Sequence, residues 1–279
     1  MHKKHKNLLD LKINRLVDNL SVGNHKTAFK AKGMEFADYR EYEYGEESKN
    51  IDWLASSREG KMIVKLFEEE REMDVYVLAL FDGDIDFEFN GVKKRDVVEE
   101  IFYLLGLSTI QFQNKLGAIF HDSEKKRIFE AKKSKAHFLN IFSEFEKSNF
   151  SGNDINSYLE YFNGLNIKNS LVFLLTSDTN IDEKILKISC VKNDFVVCNT
   201  FHSFENNLTG TGIIGLKNSG MKVSIDLDDT EKKNQYKKLR YDKLSSFKDK
   251  VFSSKGRYLY FDENTCVFSE FFKFFHTHY

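Results

Sequence analysis

The sequence contains no proline, where average usage of about 5% would supply roughly 14 in a chain of this length. Together with 27 phenylalanines this reads as nucleotide bias, and its practical result is that loops must be located from Gly, Asn and Asp alone. Cysteine is nearly absent. Cys190, Cys198 and Cys266 are too few and too scattered for a disulfide framework or a zinc site. No apolar run reaches 18 residues, so no transmembrane helix is expected. The basic start Met1-His2-Lys3-Lys4-His5-Lys6 is followed by Asp10, Lys12, Arg15 and Asp18, which leaves no apolar region for a signal peptide. Charge of one sign is also missing. Lys and Arg number 42 against 43 Asp and Glu, so no overall field favours nucleic acid or an anionic membrane. By elimination, the expected compartment is the cytoplasm. No Gly-x-x-x-x-Gly-Lys-Ser/Thr loop occurs, which excludes a nucleotide-binding P-loop.

What is present is a globular composition, 41% hydrophobic and 30% charged, with a clear alternation of patterns. Leu9, Ile13, Leu16 and Leu20 fall at helical spacing before Gly23, predicting an amphipathic helix. A charged and aromatic segment follows, from Asn24 to Lys61, and it holds the only tryptophan, Trp53. From Met62 onward strands and helices alternate, with Met62–Phe67 read as the first strand and Glu68–Asp74 as a charged connection. Val75–Phe81, Leu116–Phe120 and Ser170–Leu175 are nearly continuous apolar runs, as expected of strands covered on both faces. Arg127–Ala131 reads as an edge strand, and Asp194–Asn199 and Tyr258–Phe261 as further strands. Helices are predicted over Asp96–Gln113, Ala136–Phe145, Ile155–Leu165, Ile181–Cys190, Asp229–Phe252 and Val267–Phe275. Ile213–Leu216 and Lys222–Leu227 read as a hairpin or an edge pair. The expected fold is α/β, a doubly wound, mostly parallel sheet. The expected division is an N-terminal helix and charged segment over 1–61 and the α/β domain over 62–279.

Ligands of such a sheet bind beyond the carboxyl ends of its strands, at a switch point. Two strand ends carry acids there: Asp82, Asp84 and Asp86 after Val75–Phe81, and Asp178 after Ser170–Leu175. Carboxylates at alternate positions of a turn suit a hard cation such as Mg²⁺, although Asp is also a common turn residue. An EF-hand is excluded, because the twelfth position from Asp82 is Lys93 and the sixth is Phe87. Apolar strand followed by Asp-x-Asp also resembles the first motif of haloacid-dehalogenase-type phosphatases. On that reading Asp82 is the nucleophile, Asp84 the acid/base, Thr176 or Ser177 a phosphate ligand, and Asp228-Asp229 hold Mg²⁺. Gly210-x-Gly212-x-x-Gly215 has dinucleotide-loop spacing but opens no helix, and reads as a turn.

The aromatic segment carries a longer pattern. Gly33-Met34-Glu35-Phe36, Asp38-Tyr39-Arg40, Tyr42, Gly45, Ile51-Asp52-Trp53 and Ala55-Ser56-Ser57-Arg58 resemble the signature of the bacterial domain-of-unknown-function 58 family. That signature runs Gly-x-Glu-Phe, Arg-x-Tyr-x-x-Gly-Asp-Asp and Arg-x-Ile-Asp-Trp-x-Ala-Ser-Ala-Arg. Here the Gly-Asp-Asp is Gly45-Glu46-Glu47, and the Arg before Ile-Asp-Trp is replaced by Lys49 one residue further back. The resemblance implies a domain similar to von Willebrand factor type A domains, and a non-enzymatic adaptor or chaperone-type protein partnered with a MoxR-type AAA+ ATPase.

Such domains usually hold Mg²⁺ at a metal-ion-dependent adhesion site built from Asp-x-Ser-x-Ser, a Thr and a later Asp. Carried over by position, these are Asp82, Asp84, Asp86, Asn153 and Asp178. Two hydroxyls have become carboxylates, so up to four acids would converge on one cation and leave it no residual charge for a partner's carboxylate. The resemblance therefore implies a degenerate site, without metal or with a structural one. For the signature surface it implies Arg40, Tyr42, Asp52, Trp53 and Arg58. Against a recognition role stands a structural one, with Asp52 ion-paired to Arg40 or Arg58 and Trp53 anchored in a core.

Overall fold

The computed structural model describes residues 35–43, 51–68, 72–121, 125–150, 154–218 and 221–278. The N-terminal helix expected over Leu9–Leu20, the Gly45–Lys49 stretch and Asn153 lie outside them.

Among the described residues the chain begins with strand β1 (Glu35–Glu41), helix α1 (Trp53–Glu59) and strand β2 (Ile63–Glu68). β1 and β2 pair antiparallel, with a register shift between Phe36 and Asp38, and form a two-stranded ribbon separate from the main sheet. The division expected after residue 61 falls inside this ribbon, between its helix and its second strand. The charged segment thus contains regular structure that its composition does not advertise. The short helix has no buried residue to create a periodic stripe.

The main body is a six-stranded sheet in the order β12-β9-β8-β3-β6-β7. Its strands are β3 (Asp74–Ala79), β6 (Lys115–His121), β7 (Lys126–Lys132), β8 (Leu171–Thr176), β9 (Asp194–Thr200) and β12 (Arg257–Phe261). All neighbours are parallel except the edge pair β6–β7. This is the doubly wound, mostly parallel architecture expected from the sequence. The chain leaves β3 toward β6 on one side and reaches β8 on the other, so the switch point lies between β3 and β8.

Strand periodicity divides the core in two. Val75, Val77 and Ala79, with Phe173 and Leu175, face helices α2 (Lys94–Gln111), α3 (Lys135–Lys147) and α8 (Val267–His278), against Ile101, Phe138, Phe142 and Phe271. Tyr76, Leu78 and Leu80, with Val172 and Leu174, face α4 (Ile155–Gly164), α5 (Glu183–Lys192) and α7 (Thr230–Ser253), against Leu159, Phe162, Leu186 and Phe247. Burial on both faces is why these strands read as unbroken apolar runs. Asp154, Asp182 and Asp229 cap α4, α5 and α7, each accepting from backbone N–H groups of the first turn.

Two smaller pieces sit at the carboxyl end of the sheet. One is the hairpin β4–β5 (Glu88–Phe89, Val92–Lys93), and the other is the antiparallel pair β10–β11 (Ile213–Asn218, Met221–Asp226). Gly210 and Gly212, with φ of +104° and +85°, form the turn into β10, in line with reading the glycine-spaced stretch as a turn. Phe204 of the short helix α6 (Ser203–Asn206), Leu208 and Leu227 gather a satellite core with Phe87 and Phe89. No helix among the described residues is long and apolar enough to cross a membrane.

Candidate functional site

At the switch point Phe81 is buried, and the chain then turns through Gly83 (φ +73°) into a single 3₁₀ turn, Asp84–Asp86. This turn decides where the acids point. About three residues complete a 3₁₀ turn, so side chains two apart diverge. Asp84 points inward, where its Oδ2 accepts from Lys94 Nζ at 2.9 Å and from the Ser177 hydroxyl. Asp86 points to Arg95, whose Nε and Nη2 donate to its two carboxylate oxygens at 2.5 and 2.9 Å. Ile85 between them is fully buried. Asp82 is exposed and lines the cavity at this end of the sheet. Asp178, after β8, is half-buried, and its Oδ1 accepts from Asn180 N at 2.7 Å. Convergence of the acids on one centre, which their alternate spacing would allow, is not what the turn produces.

The network's centre is a residue the sequence did not single out. Lys94 opens α2 with its side chain wholly buried. Its Nζ also donates to both Glu205 oxygens at 3.1 Å. Glu205 is held in turn by His202 N, which donates to Oε2 at 2.7 Å, and by Tyr236 Oη, which donates to the Glu205 carbonyl at 2.8 Å. Asn199, buried at the end of β9, accepts from Tyr258 Oη and donates to the Thr176 carbonyl at 3.0 Å, which fixes the chain entering Ser177. A signal for Lys94 does exist in the sequence. It lies three residues before Val97 and seven before Ile101, on the apolar stripe of α2, where a lysine has to be paired.

A cavity of about 880 Å³ opens beside this network, lined among others by Asp82, Asp178, Phe201, Tyr236, Arg240 and Lys243. Arg240 lies over the Phe201 ring at 4.7 Å and donates to Asn206 Oδ1 at 3.1 Å.

The adhesion-type site implied by the resemblance can be tested on this geometry. The carboxylate oxygen of Asp84 that would face an ion already serves an ammonium and a hydroxyl, and Asp86 is engaged by a guanidinium. Among the described residues no group of three or more His, Cys, Asp or Glu side chains is placed to hold one ion. The residues as arranged do not fit Mg²⁺.

The phosphatase reading is not supported either. Asp84, its acid/base, is engaged by Lys94 and Ser177. The Thr176 hydroxyl accepts from Asp178 N, while Asp229 caps α7 and Asp228 accepts from Gly212 N.

The signature residues fall on the ribbon. Asp52 is the N-cap of α1, accepting from Leu54 N at 3.0 Å and Ala55 N at 3.1 Å, and Tyr39 Oη donates to its other oxygen at 3.3 Å. Arg40 pairs with Glu43 at 3.2 Å. Arg58 sits in the exposed last turn of α1 and Tyr42 is half-buried. Trp53 is no core anchor, being 66% exposed. Leu54 (65%), Met62 (54%) and Tyr39 (47%) are exposed near it. Ser56 ties α1 down instead, accepting from Ile63 N at 2.8 Å.

Fold and site together define a mixed α/β domain with a mostly parallel sheet, a polar cluster at its switch point and an appended ribbon. The model of the family described as Protein of unknown function DUF58 matches residues 38–244, most of the chain, and the protein belongs to that family. Among solved structures the chain is similar to an aerotolerance-related membrane protein from Bacteroides fragilis NCTC 9343 (TM-score 0.46, 9% identity, covering 74% of this chain and 99% of that one). It is also similar to the conserved hypothetical protein BatB from Bacteroides thetaiotaomicron (0.41, 10%, 73% and 98%) and to the SpRpn10 VWA domain (0.36, 12%, 71% and 92%).

A segment of 81 residues is 36% identical to the polyribonucleotide nucleotidyltransferase of Sulfurimonas denitrificans, covering 29% of this chain and 10% of that protein. The enzyme of the same name from Campylobacter jejuni subsp. doylei is 30% identical over 89 residues, covering 32% and 11%. The chain thus spans about a tenth of the length of the curated relatives it matches.

Proposed function

We propose that this protein is a non-enzymatic, cytoplasmic interaction module that works as an adaptor or chaperone-type partner of a MoxR-type AAA+ ATPase, and that it docks through its ribbon. The observation that carries this reading is the exposure of Trp53, Leu54, Met62 and Tyr39 within one short β1–α1–β2 unit. Exposed large apolar side chains clustered in one place mark interaction surfaces, and Trp, Tyr and Arg are the residues that anchor them. Asp52 and Ser56 support the reading by fixing the helix that presents Trp53, so the anchor is pre-organised and loses little freedom on binding. Membership of the DUF58 family supports an interaction role over catalysis, and Asp84 and Asp86, both engaged by cations, are poorly placed for general acid/base work.

The test is a binding titration between the full chain and the purified MoxR-type ATPase of the same organism, in each nucleotide state. Micromolar or tighter binding is expected in at least one state, weakened about tenfold or more by Trp53→Ala. No binding in any state would remove this partner.

A further inference from the structure

We propose that the Lys94 ammonium is the resident cation of the switch-point site, standing where a divalent metal would otherwise be held. The inference goes beyond the docking role and does not depend on it. Three observations carry it together. First, the ammonium is complete: an –NH₃⁺ has three donors, and Nζ lies 2.9 Å from Asp84 Oδ2 and 3.1 Å from each Glu205 oxygen. Its side chain is 0% exposed, so water does not supply a missing partner. Second, it joins the segments that a metal at a sheet's carboxyl end would join. Asp84 follows β3, Glu205 follows β9, and Ser177, which donates to the same Asp84 oxygen, follows β8. Third, the surroundings are built for a fixed cation. Glu205 is braced by His202 N and Tyr236, Lys94 N donates to the Phe87 carbonyl at 3.0 Å, and the Phe201 ring lies 6.0 Å from Nζ.

A divalent ion at Asp84 would have to displace a buried ammonium or sit beside it against like-charge repulsion. Replacing the two hydroxyls of an adhesion site by Asp84 and Asp86 then has a physical reason. Each carboxylate balances a cation carried by α2 itself, Lys94 for the first and Arg95 for the second. The site is cross-linked by the chain's own charges and does not call on metal supply.

The experiment has two arms on the full chain. In the first, Mn²⁺ is titrated into wild type and Asp84→Asn while the free aquo-ion signal is followed by electron paramagnetic resonance, and thermal unfolding is recorded in EDTA and in millimolar Mg²⁺. Wild type is expected to take up no Mn²⁺ at this site and to keep the same Tm in both solutions. In the second arm Lys94→Ser removes the ammonium and leaves its carboxylates. Its Tm in EDTA should fall by roughly 6–20 °C, as loss of one partner of a buried ion pair implies for a domain of this size, and Mn²⁺ or Mg²⁺ should restore part of the loss while doing nothing for wild type. Micromolar Mn²⁺ binding by wild type that Asp84→Asn abolishes would overturn the proposal. So would a Lys94→Ser protein that folds and is indifferent to divalent ions. If Lys94→Ser yields no folded protein, the titration of wild type against Asp84→Asn decides alone.

Discussion

At the carboxyl end of the sheet, Asp84, Glu205 and Ser177 turn inward around a buried Lys94, whereas on the ribbon Trp53 and Leu54 stand in solvent at 66% and 65% exposure. The sheet's end has the sequence of a binding centre, but its acids Asp84 and Asp86 are already engaged by Lys94 and Arg95. The ribbon has the composition of a charged connector and leaves its most adhesive side chains outside. The difference is one of saturation. A charge with its full set of hydrogen bonds offers a partner little, since binding must first break what is there. An exposed aromatic gains by every contact.

The largest effect is expected from unpairing the saturated region. Lys94→Met leaves Asp84 and Glu205 without their cation and should cost about 3–5 kcal/mol of stability in urea unfolding. A loss under about 1 kcal/mol would mean the network is solvated and not a cross-link, which would erase the contrast with the ribbon.

A smaller effect is expected nearby on α2. Burial lifts the Glu99 carboxyl from its ordinary 4.5 to about 7, helped by Glu146, Asp96 and Asp86 and opposed by Arg95. The fold therefore favours the protonated acid and binds more protons than the unfolded chain between pH 4.5 and about 7. This contribution is fully present below the unfolded value and is lost as pH rises through about 7, amounting to up to about 3 kcal/mol. Urea unfolding of Glu99→Gln should show a flatter pH profile and higher stability than wild type at pH above 7. An unchanged slope would place Glu99 in water.

On the ribbon the effects on folding should be modest. Asp52→Ala removes the N-cap of α1 and should cost about 1 kcal/mol, read as earlier hydrogen exchange of the Leu54 and Ala55 amides. Trp53→Ala should change global stability by less than about 0.5 kcal/mol, because the ring is exposed. A large loss there would return Trp53 to a structural role.

The sheet was legible in the sequence because its strands are buried on two faces. Val75–Phe81 and Ser170–Leu175 read as apolar runs, and the observed β3 and β8 fall within about two residues of them. The edge strand β7 and the β10–β11 pair were legible too. Of the ribbon only β2 was, since Met62–Phe67 reads as a strand. The stretch holding β1 and α1 could be recognised by its family signature, but α1 has no buried residue to leave a periodic mark. At the switch point the sequence placed the acids after the strand and left their directions open, because residue spacing gives no side-chain angle until the backbone is known to be a 3₁₀ turn. It also treated Asp52 as a candidate ion-pair or recognition residue, when an Asp immediately before a helix is first of all a cap. Lys94 and Glu205 are 111 residues apart, and nothing local to either announces the other.

If the protein engages its partner through the ribbon and not through a metal at the sheet's end, the two regions can be separated in one binding experiment. Affinity for the MoxR-type ATPase is measured with wild type, Trp53→Ala/Leu54→Ser and Asp82→Asn/Asp178→Asn, each in Mg²⁺ with and without saturating EDTA in the nucleotide-free state. Expected are at least a tenfold loss for the ribbon variant, little change for the aspartate variant, and no effect of EDTA on wild type. Full affinity in the ribbon variant, with loss in the aspartate variant or on chelation, would refute docking through the ribbon.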